Sequence, residues 1–287
     1  MKTFFKIIKW SFLILLLLLT TSILYLRFGR VLDSQIYSAD YKDEPIETEF
    51  SHKEMYLSLS DGTRIHAALF IPDDSVGLKA TIFHHAGNGM SLNDSQKRFY
   101  QPLLEAGYQI FTYERRGYGK SSGVADNSQT LKRDANEIFD QLMAFKEVND
   151  TRVIVWGTSI GGIFATSNAS EKNELIDGLI IESAFSSFPA VAQFYASEIS
   201  LEKFKFLIPL IVNNDFPTNR EIKNINKPVV IIHSKEDKKI PYKFAEDIFA
   251  NANKSNTELW TIEGKHVRGI INYEMEYLEK FNRILKN

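Results

Sequence analysis

Three residues stand out by chemistry and spacing. Ser159 sits in Gly157-Thr158-Ser159-Ile160-Gly161, Asp237 in Ser234-Lys235-Glu236-Asp237, and His266 in Gly264-Lys265-His266. A serine hydroxyl alone is a weak nucleophile. An imidazole within reach can take its proton, and a carboxylate on the far ring nitrogen fixes the tautomer and stabilises the imidazolium. The chemistry such a set performs is acyl transfer through a covalent intermediate. Ser, then Asp, then His is an order in which the set occurs along open α/β sheets.

The elements that must position these groups can be read around them. Residues 152–156, Arg-Val-Ile-Val-Trp, form an apolar β-branched run that predicts a buried strand, and a helix is expected from about Ile163. Strand, Gly-x-Ser-x-Gly, helix is the context of a nucleophile elbow, a turn so tight that the positions two before and two after the serine must be nearly free of side chains. Gly157 and Gly161 occupy them. The turn lifts the Ser159 hydroxyl above the carboxyl edge of the sheet and aims the free N–H groups of a helix start at any oxyanion formed there. Asp237 follows a predicted strand at 228–233, and His266 follows one at 257–262, so both fall at successive strand ends where ligand sites of such sheets lie. An isolated Asp or His in a loop is ordinarily a solvated surface residue; joint placement in the required order favours the triad.

Glu182 ends the strand after the elbow and stays open as an alternative acid. His84 and His233, also at strand ends, read as hydrogen-bonded structural histidines, while His52 and His66 precede the parallel part of the sheet. The oxyanion donors are assigned to the backbone N–H groups of Ile160 and of Ala86, the latter in the small-residue loop His84-His85-Ala86-Gly87-Asn88-Gly89. The turn at 113–123, with two arginines and three glycines, reads as structural, one Arg bracing the oxyanion loop.

Along the rest of the chain, alternating residues at 54–60 and 64–71 around Asp61-Gly62 predict an antiparallel hairpin. From residue 80 onward buried strands (81–84, 109–113, 153–156, 179–182) alternate with helices (93–106, 128–145 and the elbow helix). The pattern predicts an α/β fold with a mostly parallel, doubly wound sheet. The alternation pauses at about 186–226 in a stretch rich in Phe188, Phe194, Tyr195, Phe204 and Phe206, read as a small helical lid or, alternatively, as a pair of packing helices. It resumes with a strand, a helix at 241–252, a strand and a closing helix.

Composition is that of a globular chain: 287 residues, 44% hydrophobic, 24% charged, net charge −2 and no cysteine. There is no basic bias toward nucleic acid, and disulfides, thiolate metal sites and a cysteine nucleophile are excluded. Residues 10–26 lack charge and are dominated by Leu and Ile, which at ~1.5 Å per residue suffices to cross most of a ~30 Å hydrocarbon layer. No small-residue cleavage site follows, so an uncleaved membrane anchor is favoured over a signal peptide. Lys2, Lys6 and Lys9 before the span, against Arg27 and Arg30 after it, lean toward an external domain. The expected organisation is an anchor at 1–30, a polar linker at 31–50 lifting the domain from the bilayer, and a catalytic domain at 51–287.

These motifs together resemble the α/β-hydrolases of the serine-hydrolase type, and among them the membrane-anchored abhydrolase-domain proteins with a short lid. The similarity runs from about residue 54 to the end. The family pattern of a His-Gly loop, a Tyr-Arg-Gly-Tyr-Gly-x-Ser turn, Gly-x-Ser-x-Gly, a His-Gly-x-x-Asp-x-x-Val-Pro segment and a Gly-x-His loop resembles residues 84–89, 115–121, 157–161, 233–241 and 264–266. Departures are His85 and Ser234, where the family usually has Gly, and Ile240 for Val. His85 bears on the oxyanion loop, which its side chain would narrow, or from which it would reach the substrate. The resemblance implies hydrolysis of an ester, thioester or amide through an acyl-enzyme, without metal or organic cofactor, on a small-molecule or lipid-like acyl substrate. A catalytically silent, membrane-tethered binding protein on the same fold is the alternative. The apolar lid suggests short-to-medium acyl esters over aminoacyl amides, since its carboxylates are chiefly Glu198 and Glu202.

Overall fold

The structure, a computed structural model, describes residues 1–37, 45–95 and 99–286; Asp40, Lys42, Asp43 and Glu44 of the expected linker lie outside them. Eight strands form one sheet: β1 (His52–Ser58), β2 (Arg64–Phe70), β3 (Ala80–His85), β4 (Tyr108–Tyr113), β5 (Val153–Thr158), β6 (Gly178–Glu182), β7 (Val229–Ser234) and β8 (Thr257–Ile262). Their order is β1-β2-β4-β3-β5-β6-β7-β8. The β1–β2 and β2–β4 pairs are antiparallel and the remaining five are parallel, so the hairpin and the parallel sheet both form as expected. Gly62, at φ +85°, makes the hairpin turn.

Because successive strand residues point to opposite faces, the apolar runs feed two cores. On one face Phe83, Phe111, Val155, Ile181 and Ile231 meet Ile138, Phe139 and Leu142; on the other, Ile82, Ile110, Ile154, Ile180 and Ile232 meet Leu103, Leu104, Tyr277 and Phe281. The helices are α1 (Lys2–Phe28), α2 (Asp33–Ile36), α3 (Leu92–Ser95), α4 (Gln101–Glu105), α5 (Ser128–Met143) and α6 (Gly161–Glu171). After β6 come α7 (Phe188–Glu198), α8 (Ile208–Ile211) and α9 (Thr218–Glu221), then α10 (Lys243–Asn251), α11 (Gly269–Asn272) and α12 (Glu274–Ile284). Asn127 caps α5 by accepting from the N–H groups of Gln129 and Thr130. Of the helix expected over 93–106, Leu92–Ser95 (α3) and Gln101–Glu105 (α4) are α-helical, and residues 96–98 lie outside the described residues.

The lid consists of α7, a 3₁₀ turn at Glu202–Leu207, α8 and α9. A third apolar cluster, including Ile160, Phe164, Phe185, Phe188, Phe216 and Ile240, joins it to the body. Helix α1 meets the body at its C-terminal end, through Arg27, and its apolar window is unburied. Thr20 and Thr21 return their hydroxyls to the Leu16 and Leu17 carbonyls at 2.8 and 2.9 Å, so neither needs a partner outside the helix.

Residues 31–37, the start of the expected linker, and Arg30 before them are packed on the body. Arg30 bonds both oxygens of Asp215, at 2.7 and 3.1 Å, and Asp33 at 2.7 Å. Asp33 accepts the Ser128 N–H, and the buried Tyr37 donates its hydroxyl to the Ser128 Oγ. Composition misled here because these polar residues find partners distant in sequence.

Candidate active site

Two glycines, Gly157 and Gly161, flank the elbow serine. A Cβ on Gly157 would lie 2.5 Å from the Gly161 carbonyl and 2.6 Å from the Ala165 side chain; one on Gly161 would lie 1.9 Å from the His85 carbonyl. Only glycine fits either position. Between them Ser159 is held at φ +54°, a left-handed conformation costly to any residue with a Cβ, and its N–H is tied to the Glu182 carbonyl at 2.8 Å. Strained this way, the side chain stands clear of β5 and α6.

The structure brings Ser159, His266 and Asp237 together. The Ser159 hydroxyl lies 2.8 Å from His266 Nε2, and His266 Nδ1 lies 2.7 Å from Asp237 Oδ2. With Nδ1 donating to the carboxylate, Nε2 is left to accept from the serine. Asp237 is buried; burial opposes its charge, but His266 and the Ile240 N–H hold its carboxyl below the usual range. Its second oxygen accepts the N–H groups of Lys239 and Ile240 at 3.0 and 2.9 Å, which fixes the orientation of the carboxylate.

Neighbouring groups hold these loops. His233 donates Nε2–H to the Ile240 carbonyl at 2.7 Å and, kept below its ordinary pKa chiefly by burial, braces the acid loop as a neutral imidazole. Ser234, the residue in place of the family's Gly, hydrogen-bonds the Gly264 carbonyl, and Glu236 accepts the Gly264 N–H at 2.9 Å. Both cross-link the acid loop to the histidine loop.

Glu182 lies apart from His266 Nδ1 and buried beneath the histidine loop. It accepts the Gly269 N–H at 2.7 Å and the Tyr277 hydroxyl at 2.8 Å, and burial raises its pKa. Its contacts are those of a scaffold for the loop.

Among the described residues, the backbone N–H groups of Ala86 and Ile160, the two donors expected from the sequence, make no hydrogen bond. Arg115, buried beneath the loop, donates to the Ala86 and Gly87 carbonyls at 2.7 and 3.0 Å. His85 belongs to β3, whose pleat directs its ring into the interior near Phe83, Tyr113 and Phe164; it neither narrows the loop nor reaches the cleft. His84 stacks on Trp156 and bonds the Tyr100 hydroxyl, its pKa lowered to about 3 chiefly by burial. Among the described residues no cluster of three His, Asp or Glu side chains could hold a metal ion.

Two cavities meet at Ser159. An apolar arm of about 400 Å³ is lined by Ile160, Phe185, Phe188, Val191 and Val212, together with Leu32 and Ile36. A more polar arm of about 580 Å³ runs past Met90, Lys239, His266, Arg268 and Ile271. Tyr195 lines both, and its hydroxyl donates to the Lys239 carbonyl at 3.0 Å. Sequence reasoning had located the apolar surface only broadly in the lid. Tyr195 belongs to the aromatic stretch read from the sequence, whereas the contributions of Leu32 and Ile36 arise from tertiary contact and leave no local signature.

Comparison with known proteins agrees with this architecture. A family model for the α/β-hydrolase fold matches residues 80–217. The lysophosphatidylserine lipase ABHD12 of Macaca fascicularis is 26% identical over 180 residues, which cover 60% of this chain and 44% of that protein, so the match spans less than half the relative's length. The protein YfhR of Escherichia coli O157:H7 is 25% identical over 247 residues, covering 82% and 78% of the two chains. The structure of the Pyrococcus furiosus esterase Pf2001 superposes with a TM-score of 0.65 at 19% identity, covering 87% of this chain and 97% of that one, a likeness of fold. With sheet order, family match and relatives in agreement, this chain has the α/β-hydrolase fold and is similar to the members of that superfamily.

Proposed function

We propose that the chain is a membrane-anchored serine hydrolase that cleaves carboxylic esters of apolar acyl chains through an acyl-enzyme. The observation that carries this reading is the continuous hydrogen-bonded line from the strained Ser159 hydroxyl through His266 to buried Asp237. In the first step Ser159 Oγ attacks the ester carbonyl carbon while His266 Nε2 takes its proton, and the carbonyl oxygen gains negative charge facing the Ile160 and Ala86 N–H groups. As the tetrahedral intermediate collapses, Nε2–H returns the proton to the departing alkoxide. A water then repeats the sequence on the acyl-serine and releases the carboxylic acid.

The two arms divide the substrate: the acyl chain fits the apolar arm and the alcohol portion the polar one. ABHD12 is a lysophosphatidylserine lipase, and a monoacyl phospholipid would here set its anionic head beside Lys239 and Arg268, both of which line the polar arm. An amidase acting on aminoacyl substrates is the weaker reading, since neither Glu198 nor Glu202 lines either arm and Glu202 pairs with Lys205. A binding protein without activity would have no use for a strained serine aligned on an imidazole. In this reading residues 1–30 anchor the chain, 51–287 form the catalytic unit with its lid at about 186–226, and no metal takes part.

Labelling with a fluorophosphonate probe tests the proposal. The wild-type chain should label and hydrolyse p-nitrophenyl esters; Ser159→Ala should lose both while keeping its circular dichroism spectrum. Wild-type turnover by the alanine variant would eliminate Ser159 as nucleophile.

A further inference from the structure

The apolar arm is lined partly by a segment that the catalytic body does not supply. Leu32 and Ile36 follow directly on the apolar helix α1, and their spacing of four residues through α2 puts them on one side of the segment. We propose that this segment is a wall of the acyl site, and that Leu32 and Ile36 help set the acyl length accepted at Ser159. The inference rests on the reading of Ser159 as the nucleophile.

Polar contacts fix the segment on both sides of the apolar pair. Before Leu32, the Arg27 guanidinium donates to the Pro209 carbonyl at 3.0 Å, and Arg30 holds Asp215 in a two-pronged pair. Between the two residues, Asp33 accepts from Arg30 and from the Ser128 N–H. After them, the Ile36 carbonyl accepts from Asn88 Nδ2 at 3.2 Å and Tyr37 is bonded to Ser128. Asn88 belongs to the oxyanion loop and lines both arms. The segment is thereby tied to the lid, to α5 and to the loop that carries an oxyanion donor. Such anchorage is what a fixed wall needs, because a loosely held strap would yield to a longer acyl chain without selecting against it.

The test uses the full-length chain in detergent micelles and kcat/KM across p-nitrophenyl esters from acetate to dodecanoate. Replacing Leu32 or Ile36 by Ala removes apolar contact, so the octanoate-to-acetate ratio should fall about three- to tenfold. Ile36→Trp should fill the arm and move the preferred acyl length down by about two carbons or more. Leu18→Ala, within the apolar helix and remote from the arm, should retain the wild-type ratio. Ratios and optimum unchanged in all three segment variants would overturn the proposal, as would an equal loss on every ester, which marks mere structural support. A wild-type chain that neither cleaves the series nor labels at Ser159 would instead overturn the hydrolase reading itself.

Discussion

The assignment of the acid can be decided by two isosteric substitutions whose effects should differ by orders of magnitude. Asp237→Asn keeps size and the two backbone contacts to Lys239 and Ile240, which the amide oxygen can still accept. The amide nitrogen then faces His266 Nδ1, where Asp237 Oδ2 stood at 2.7 Å. A donor there favours the tautomer with the proton on Nε2, which cannot accept from Ser159, and no carboxylate remains to stabilise the imidazolium. An equivalent change in a serine protease costs about 10⁴ in kcat, or about 5.4 kcal/mol. Glu182→Gln touches different partners. Its oxygen can keep the Gly269 N–H, and its nitrogen can donate to the Tyr277 hydroxyl, which can rotate its own proton away. The loss is one charge-assisted hydrogen bond, about 1.5–3 kcal/mol of stability, and kcat should fall less than about tenfold. Steady-state hydrolysis of p-nitrophenyl butyrate, with thermal melts of both variants, measures the contrast. A crippled Glu182→Gln beside a mildly affected Asp237→Asn would refute the reasoning and move the acid to β6.

Three further outcomes follow from contacts described above. Arg115→Lys can satisfy only one of the Ala86 and Gly87 carbonyls, so the oxyanion donor should drift and kcat should fall about 10- to 100-fold with little change in KM; an unaltered kcat would remove Arg115 from this role. Burial works against the charge of His66, yet Glu114 and Glu54, at 2.8 and 2.7 Å, raise its pKa above 6.5. The stability this gives is present in full below about pH 6.5 and is lost as pH rises through the folded-state pKa. The Tm gap between wild type and His66→Gln should therefore shrink from pH 6 to pH 9, and a constant gap would contradict it. Finally, protease added to spheroplasts should degrade a domain facing outward, as the lysines before the uncharged span at 10–26 suggest, whereas protection until lysis would reverse the topology.

The geometry of the candidate site was legible in the sequence where it depends on local pattern. Gly157 and Gly161 announce the elbow because the turn itself forbids a Cβ, and Asp237 and His266 are found because strand ends are visible in apolar runs. Glu182 illustrates the limit of that signal. It too ends a strand, but register and the packing of α11 and α12 turn it toward Gly269 and Tyr277. His85 shows the same limit at one residue's resolution: whether it ended β3 or began the loop decided which way its ring pointed. Residues 30–37 were opaque for a different reason. Four residues of helix stabilise little by themselves, and this segment is ordered by Asp215, Ser128 and Asn88, which no local reading brings near it.

The lid is fastened unequally. At its α8–α9 end, Asn213 holds the Arg27 carbonyl at 2.8 Å and Asp215 grips Arg30 through two charged hydrogen bonds. Across the mouth, α7 meets the acid loop through the Tyr195 hydroxyl on the Lys239 carbonyl, a neutral and exposed hydrogen bond. Charge-assisted pairs are roughly twice as strong as neutral ones, so thermal opening lifts the Tyr195 edge before the other. Such a flap hinges like a door rather than rising like a cap: the α7 side, which carries Tyr195 of both arms, gives first, while Leu32, Ile36 and Val212 keep the opposite wall of the apolar arm. On the function proposed above, the freed alcohol would leave along the polar arm while the acyl group is still held on the serine.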